Sequence, residues 1–113
     1  MENALITILE SFKYPVYRQG SMSNDTAYPE TFITFWNNDS PDHSHYNNAE
    51  YGTEWDFNVY VYSSDPAMTY SLLSGIRTAL KAADWIVPSK GFDVVSDEAT
   101  HTGRGIQCVY MEF

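Results

Sequence analysis

Cysteine is nearly absent. Cys108 is the single thiol in 113 residues, so neither an intrachain disulfide nor a multi-cysteine metal cluster can form. That usage fits a reducing cytoplasm. Positive charge is scarce as well: six Lys and Arg stand against fifteen Asp and Glu, for a formal net charge of -9. Phosphate-tracking nucleic-acid binders and basic peripheral membrane proteins need a cationic face, so this balance argues against both and no specific nucleic-acid binding is expected. No stretch approaches the ~18 consecutive apolar residues of a membrane span. The first residues lack the basic region and long apolar run of a secretory signal. The expectation is a soluble protein, cytoplasmic at synthesis, with no membrane partner. The six glycines form neither a phosphate-binding loop nor a dinucleotide fingerprint, and no cofactor is indicated.

What is present is apolar and aromatic. A hydrophobic fraction of 43% and an aromatic fraction of 16% exclude a wholly disordered chain, and the length suits one domain, 1–113. Its compact radius of gyration would be ~13 Å. The negative charge is concentrated. Residues 21–65 hold eight acids and no Lys or Arg, so nearly all of the net charge belongs to this middle segment.

Periodicity divides the chain into six elements. Leu5, Ile8, Leu9 and Phe12 share one face of a helix over about 2–13, which Pro15 ends. Gly20 to Asp25 form a connector, and Tyr28-Pro29 holds the chain extended. Thr31 to Trp36 is dense in β-formers and reads as a strand apolar on both faces. Asn37 to Asn48 reads as a polar loop, too long for an ordinary hairpin connection and therefore functional or mobile. Over 53–62, Trp55, Phe57, Val59 and Val61 alternate with polar and tyrosine residues, the mark of a strand with one core face. Asp65-Pro66 is an N-cap and first-turn pair. Thr69, Leu72, Leu73, Ile76, Leu80 and Ala83 mark the stripe of the helix that follows, in which Gly75 allows close packing against the sheet. Phe92 to Asp97 and Gly105 to Phe113 read as a closing hairpin with its turn near Gly103. The expected fold is α+β in the order helix-strand-strand-helix-strand-strand, with a four-stranded, mainly antiparallel sheet and the helices packed on one face.

Candidate chemistry is thin. His43 and His45, one residue apart beside Asp42, have the spacing of two metal ligands on a strand, but in a predicted loop the solvated reading is stronger. Cys108 could act as a nucleophile if His101 approached it, yet its neighbours Ile106, Val109 and Met111 suggest a buried thiol. Glu54 with Asp56, and Asp97 with Glu98, read as exposed acids rather than a catalytic pair. Arg77 and Lys81 form an i,i+4 basic pair on the second helix, a solvated face that an acidic partner could also meet. The nine tyrosines are more informative, because tyrosine combines contact area with a polar tip. Tyr46, Tyr51, Tyr60 and Tyr62 are the candidate subunit-interface residues. The pattern suits contact rather than turnover, so no catalytic, cofactor-binding or metal residue is assigned.

The chain resembles the small tail-terminator and tail-completion proteins of long-tailed bacteriophages and prophages. The resemblance runs through the amphipathic opening helix and Tyr28-Pro29-Glu30-Thr31-Phe32-Ile33-Thr34-Phe35. It continues through Gly52-Thr53-Glu54-Trp55-Asp56-Phe57-Asn58-Val59-Tyr60-Val61-Tyr62, the helix after Asp65-Pro66, and the closing Tyr110-Met111-Glu112-Phe113. It implies a non-enzymatic virion protein, a minor tail component that forms a homo-oligomeric ring, typically a hexamer. Its partners would be copies of itself, the tail tube protein and the head connector protein. It would be found in the host cytoplasm during assembly and then in the virion tail at the head-tail junction. Asp39, Asp42 and Glu50 are then candidate lumen-facing acids along a DNA passage. A head-closure or tail-to-head joining protein is the neighbouring alternative. A soluble acidic inhibitor mimicking nucleic acid is an alternative of another class, and a small hydrolase using Cys108 or the histidines is a third.

Overall fold

Leu5 and Leu9, one helical turn apart and both fully buried, anchor the opening helix α1, Glu2–Glu10, to the core. The computed structural model describes residues 2–18, 30–39, 42–46, 49–94 and 101–112. After α1 the chain runs through β1 (Val16–Arg18), β2 (Thr31–Asp39), β3 (Asp42–Tyr46) and β4 (Ala49–Ser63). Helix α2 (Pro66–Ala82) follows, then β5 (Phe92–Val94) and β6 (Thr102–Glu112). The connector at 20–29 and the Asp97-Glu98 pair lie outside the described residues.

The sheet overturns the expected fold class. It has six strands rather than four, in the order β1-β2-β4-β6-β5, with β3 also paired to β4. It is mixed, because β1 runs parallel to β2 with Val16 opposite Ile33. A parallel pair needs a connection of a dozen or more residues, and the stretch between Arg18 and Thr31 is long enough. The other ladders are antiparallel.

The expected loop at 37–48 is also corrected. β2 continues to Asp39, opposite Asp56, and β3 resumes with Asp42 opposite Thr53. β2 and β3 therefore lie end to end along one side of β4, and the chain reverses between the paired residues Tyr46 and Ala49. A register shift between Asn37 and Asp39 marks the irregularity where one ladder gives way to the next. β4 has 15 residues, which at ~3.3 Å each extend about 50 Å. This accounts for a longest dimension of 53 Å and a radius of gyration of 15.2 Å. Gly103 belongs to β6 opposite Tyr62, so the predicted turn there is corrected too.

The core lies between the helices and one face of the sheet. Ile33 and Phe35 of β2, Phe57, Val59 and Val61 of β4, and Ile106 and Cys108 of β6 point into it. Leu72, Leu73, Ile76 and Leu80 of α2 meet them, and a fully buried Leu or Ile contributes about 1.5–3 kcal/mol. Trp85 closes one end, its ring at 6.0 Å from Phe57 and 5.3 Å from Tyr110. Asp65 caps α2 by accepting from the Ala67 N–H at 3.1 Å, while the Asp65 N–H donates to the Ser63 hydroxyl at 3.1 Å. Ser63 in turn shares a 3.0 Å hydrogen bond with Thr31, so the end of the sheet and the start of the helix are tied together. Gly75 packs on Phe12, two residues past α1, rather than on the sheet: an added Cβ would lie 3.1 Å from the Phe12 ring.

Candidate functional site

A strand shows alternate residues to opposite faces, and among the described residues only one face carries helices. Cross-strand partners share a face, so Tyr17, Phe32, Thr34 and Trp36 stand with Tyr60 and Tyr62 on the side turned away from the core. Gly103 and Gly105 of β6 lie directly opposite Tyr62 and Tyr60, with Val94 and Phe92 of β5 beyond them. The result is a sheet face made largely of aromatic rings.

The two glycines explain how those rings lie. An added Cβ at Gly105 would sit 2.6 Å from Tyr60 Cδ1, and one at Gly103 would sit 2.7 Å from Tyr62 Cε1. Each tyrosine therefore lies down over the bare backbone of its cross-strand glycine, a close approach that any side chain on β6 would block. Tyr62 stacks on Phe32 at 5.2 Å and meets Tyr60 at 6.4 Å, while Tyr17 and His101 flank Phe32 at 6.2 and 6.0 Å. Trp36, Tyr60, Tyr62 and Val94 line a shallow concavity of about 190 Å³. Its rim is exposed: Trp36 is 48% and Phe92 40% accessible.

Beside the rings runs a polar network. Asn38 Nδ2 donates to Asp56 Oδ1 at 3.1 Å and to Asn58 Oδ1 at 2.9 Å. Gln107 Nε2 donates to both Asp56 oxygens, at 3.0 and 2.9 Å. Asn58 Nδ2 donates to the Tyr60 hydroxyl at 2.9 Å. These bonds fix the Tyr60 ring from its polar end. Between Tyr17 and Tyr60 stands Thr34, 7% accessible, whose hydroxyl is buried with no hydrogen-bond partner. An unmet buried hydroxyl costs about 1–3 kcal/mol.

Of the sequence-predicted site residues, the structure brings Tyr60 and Tyr62 together on this face. Tyr46, Tyr51, Asp42 and Glu50 stand on the β3–β4 hairpin and Asp39 at the end of β2. Their side chains lie outside the described residues, as do those of His43 and His45. Tyr17, Phe32, Trp36 and Phe92 complete the aromatic face and were missed in sequence. The signal available for Phe32 and Trp36 was parity, since each is one strand residue away from the buried Ile33 or Phe35; Tyr17 and Phe92 stand on three-residue strands that carry no such signal. No group of three His, Cys, Asp or Glu able to hold a metal forms among the described residues, and no helix there is long and apolar enough to cross a membrane.

Cys108 and His101 are not brought together. Cys108 pairs with Phe57 and points into the core, whereas His101 packs on Phe32 across the sheet. Burial, reinforced by the charge of Asp56, pushes the Cys108 thiol up to about 12. Such a thiol is almost entirely protonated near neutrality and is a poor nucleophile. A native-state pKa raised above its unfolded value contributes stability below the unfolded value that is lost as pH rises toward 12. We expect thiol labelling by a disulfide reagent at pH 8 to be at least ~100-fold slower in the native protein than in urea. Comparable rates in the two conditions would refute the buried, protonated assignment.

A scan against protein-family models and a search of curated proteins each found no match to this chain.

Proposed function

We propose that this chain is a non-enzymatic virion subunit of the tail-terminator type, which self-associates into a ring that caps the tail tube and presents a joining surface to the head connector. In this reading it is made in the host cytoplasm and ends at the head-tail junction. The observation that supports it best is the aromatic sheet face on which no helix lies among the described residues, with Trp36 and Phe92 held exposed at its rim. Aromatic residues of this kind give large contact area at low entropic cost and are enriched where subunits meet. A contact between unlike faces of neighbouring copies closes into a ring when the rotation permits.

The test is native mass spectrometry at rising concentration, with electron microscopy of tails assembled with and without the protein. Ring formation is expected, with overlength or headless tails in its absence. The double substitution Trp36→Ala and Phe92→Ala removes half-exposed rings, so the loss of folding stability should stay within about 2 kcal/mol. Self-association should weaken at least ~10-fold, because buried aromatics are the usual interface anchors. A strictly monomeric wild-type protein that leaves tail length and head joining unchanged would sink the reading.

A further inference from the structure

Three of the six cations of this acid-rich chain stand at one edge with no ion pair among the described residues. Arg77 and Lys81 lie one turn apart on α2. Arg77 Nε donates to the Ser89 carbonyl at 3.0 Å, which places Lys90 beside them. Among the described residues, no carboxylate lies within ion-pair distance of Arg77, Lys81 or Lys90. Tyr70, 57% accessible, continues the same helix face toward the N-terminus, since positions spaced by seven and eleven residues nearly superpose around a helix. The neighbouring cation is Arg104, paired with Asp93 at 2.8 Å and stacked over the Tyr70 ring at 4.2 Å. The stripe from Tyr70 to Lys81 is ~16 Å long.

The opposite charge sits elsewhere. Beyond Thr53, β4 is paired with β3 and no longer with β6, so 42–46 and 49–52 extend past β6 as a two-stranded arm. The arm contains Asp42 and Glu50 and no Lys or Arg. β3 extends ~17 Å, close to the length of the basic stripe. Arg104 lies at the rung of Val61, nine residues along β4 from Gly52, or ~30 Å. That is several Debye lengths at physiological salt, so this end of the stripe does not engage its own arm.

We infer that the acidic β3–β4 arm of one copy docks on the Tyr70–Arg77–Lys81–Lys90 stripe of the next. The occupant is a second copy of this chain, chosen by charge complementarity and matched length. The inference rests on the proposed ring, because it supplies the two unlike faces that a head-to-tail contact requires. It assigns Asp42 and Glu50 to a subunit contact instead of a DNA passage. Charges of this kind set register and partner choice.

Charge exchange tests it. One variant carries Lys81→Glu and Lys90→Glu; another carries Asp42→Lys and Glu50→Lys. Each alone should associate about tenfold more weakly than wild type in sedimentation velocity at low salt, with the wild-type advantage shrinking at high salt. Mixed in equal amounts, the two variants should recover association, because every contact in an alternating ring is again between opposite charges. A single chain carrying all four substitutions should recover it as well. Recovery cannot come from a variant that has merely failed to fold, and circular dichroism checks each one. Association indifferent to both charge sets, or no recovery on mixing, would overturn the docking while leaving a wild-type ring standing. So would rings that assemble normally from the arm variant but release DNA slowly, which would put the acids at the passage. A wild-type protein monomeric throughout would remove the ring and the docking together.

Discussion

Replacing Phe57 by alanine is expected to cost about 3–5 kcal/mol, the range for deleting a buried aromatic ring. Phe57 is fully buried and joins the core to Trp85, with ring centroids 6.0 Å apart, and to Trp55, stacked at 6.3 Å. It also sits on the most connected strand, paired with Asn37 on one side and Cys108 on the other. Domains of this size are stable by only about 5–15 kcal/mol, so this one change consumes a large part of the total. Urea unfolding followed by tryptophan fluorescence measures it: the midpoint should fall sharply with little change in slope. A loss below ~1.5 kcal/mol, the range of a tolerated core swap, would mean that the ring is not packed as described.

Gly105→Ala should be the most damaging single-methyl addition on the open face. The new Cβ would lie 2.6 Å from Tyr60 Cδ1 and 3.1 Å from Phe92 Cε2. Moving the Tyr60 ring aside sacrifices its 2.9 Å hydrogen bond from Asn58 and disturbs the concavity that the ring lines. Overpacking of this kind costs about 1–3 kcal/mol, and self-association should fall along with stability. The cause can be isolated by a double-mutant cycle. In a Tyr60→Ala background the methyl has room, and most of the penalty of Gly105→Ala should vanish. An undiminished penalty there would place the damage in the strand backbone rather than in the displaced ring.

Where hydrophobic periodicity was strong, the sequence was readable. The alternation of Phe57, Val59 and Val61 marks a strand that buries all three, and the stripe Thr69, Leu72, Leu73, Ile76 and Leu80 is the buried face of α2. Periodicity failed where pairing is carried by backbone alone. Asp42-His43-Ser44-His45-Tyr46 has no apolar alternation, yet it forms β3 because β4 extends beyond the rest of the sheet and offers it an edge. Asn47-Asn48 between the paired segments is a turn composition that favours a two-residue hairpin, and it was the signal available. β1 and β5 are three residues each, too short for any period to register. The site was half legible: parity placed Tyr60 and Tyr62 away from the core, but Gly103 read as a turn. Its role over Tyr62 depends on a cross-strand register that local sequence does not encode. The ends of the helices carry the same lesson. Lys13 and Asp84 take left-handed backbone, with φ of 66° and 70°, although neither is the glycine usually found at such a position.

The continuity of β4 has a mechanical consequence. The strand that forms half of the projecting arm is the same strand that runs through the middle of the sheet, flanked by β2 and β6. A pull on the arm along its length is therefore delivered to the ladder with β6 from Thr53 to Ser63 and to the ladder with β2 from Asp56 to Ser63. Both ladders meet that load in shear, with their rungs sharing it side by side instead of opening one after another. The root of the lever is Phe57, Val59 and Val61, all fully buried. Tension at the tip of the arm is thus carried straight into the hydrophobic core.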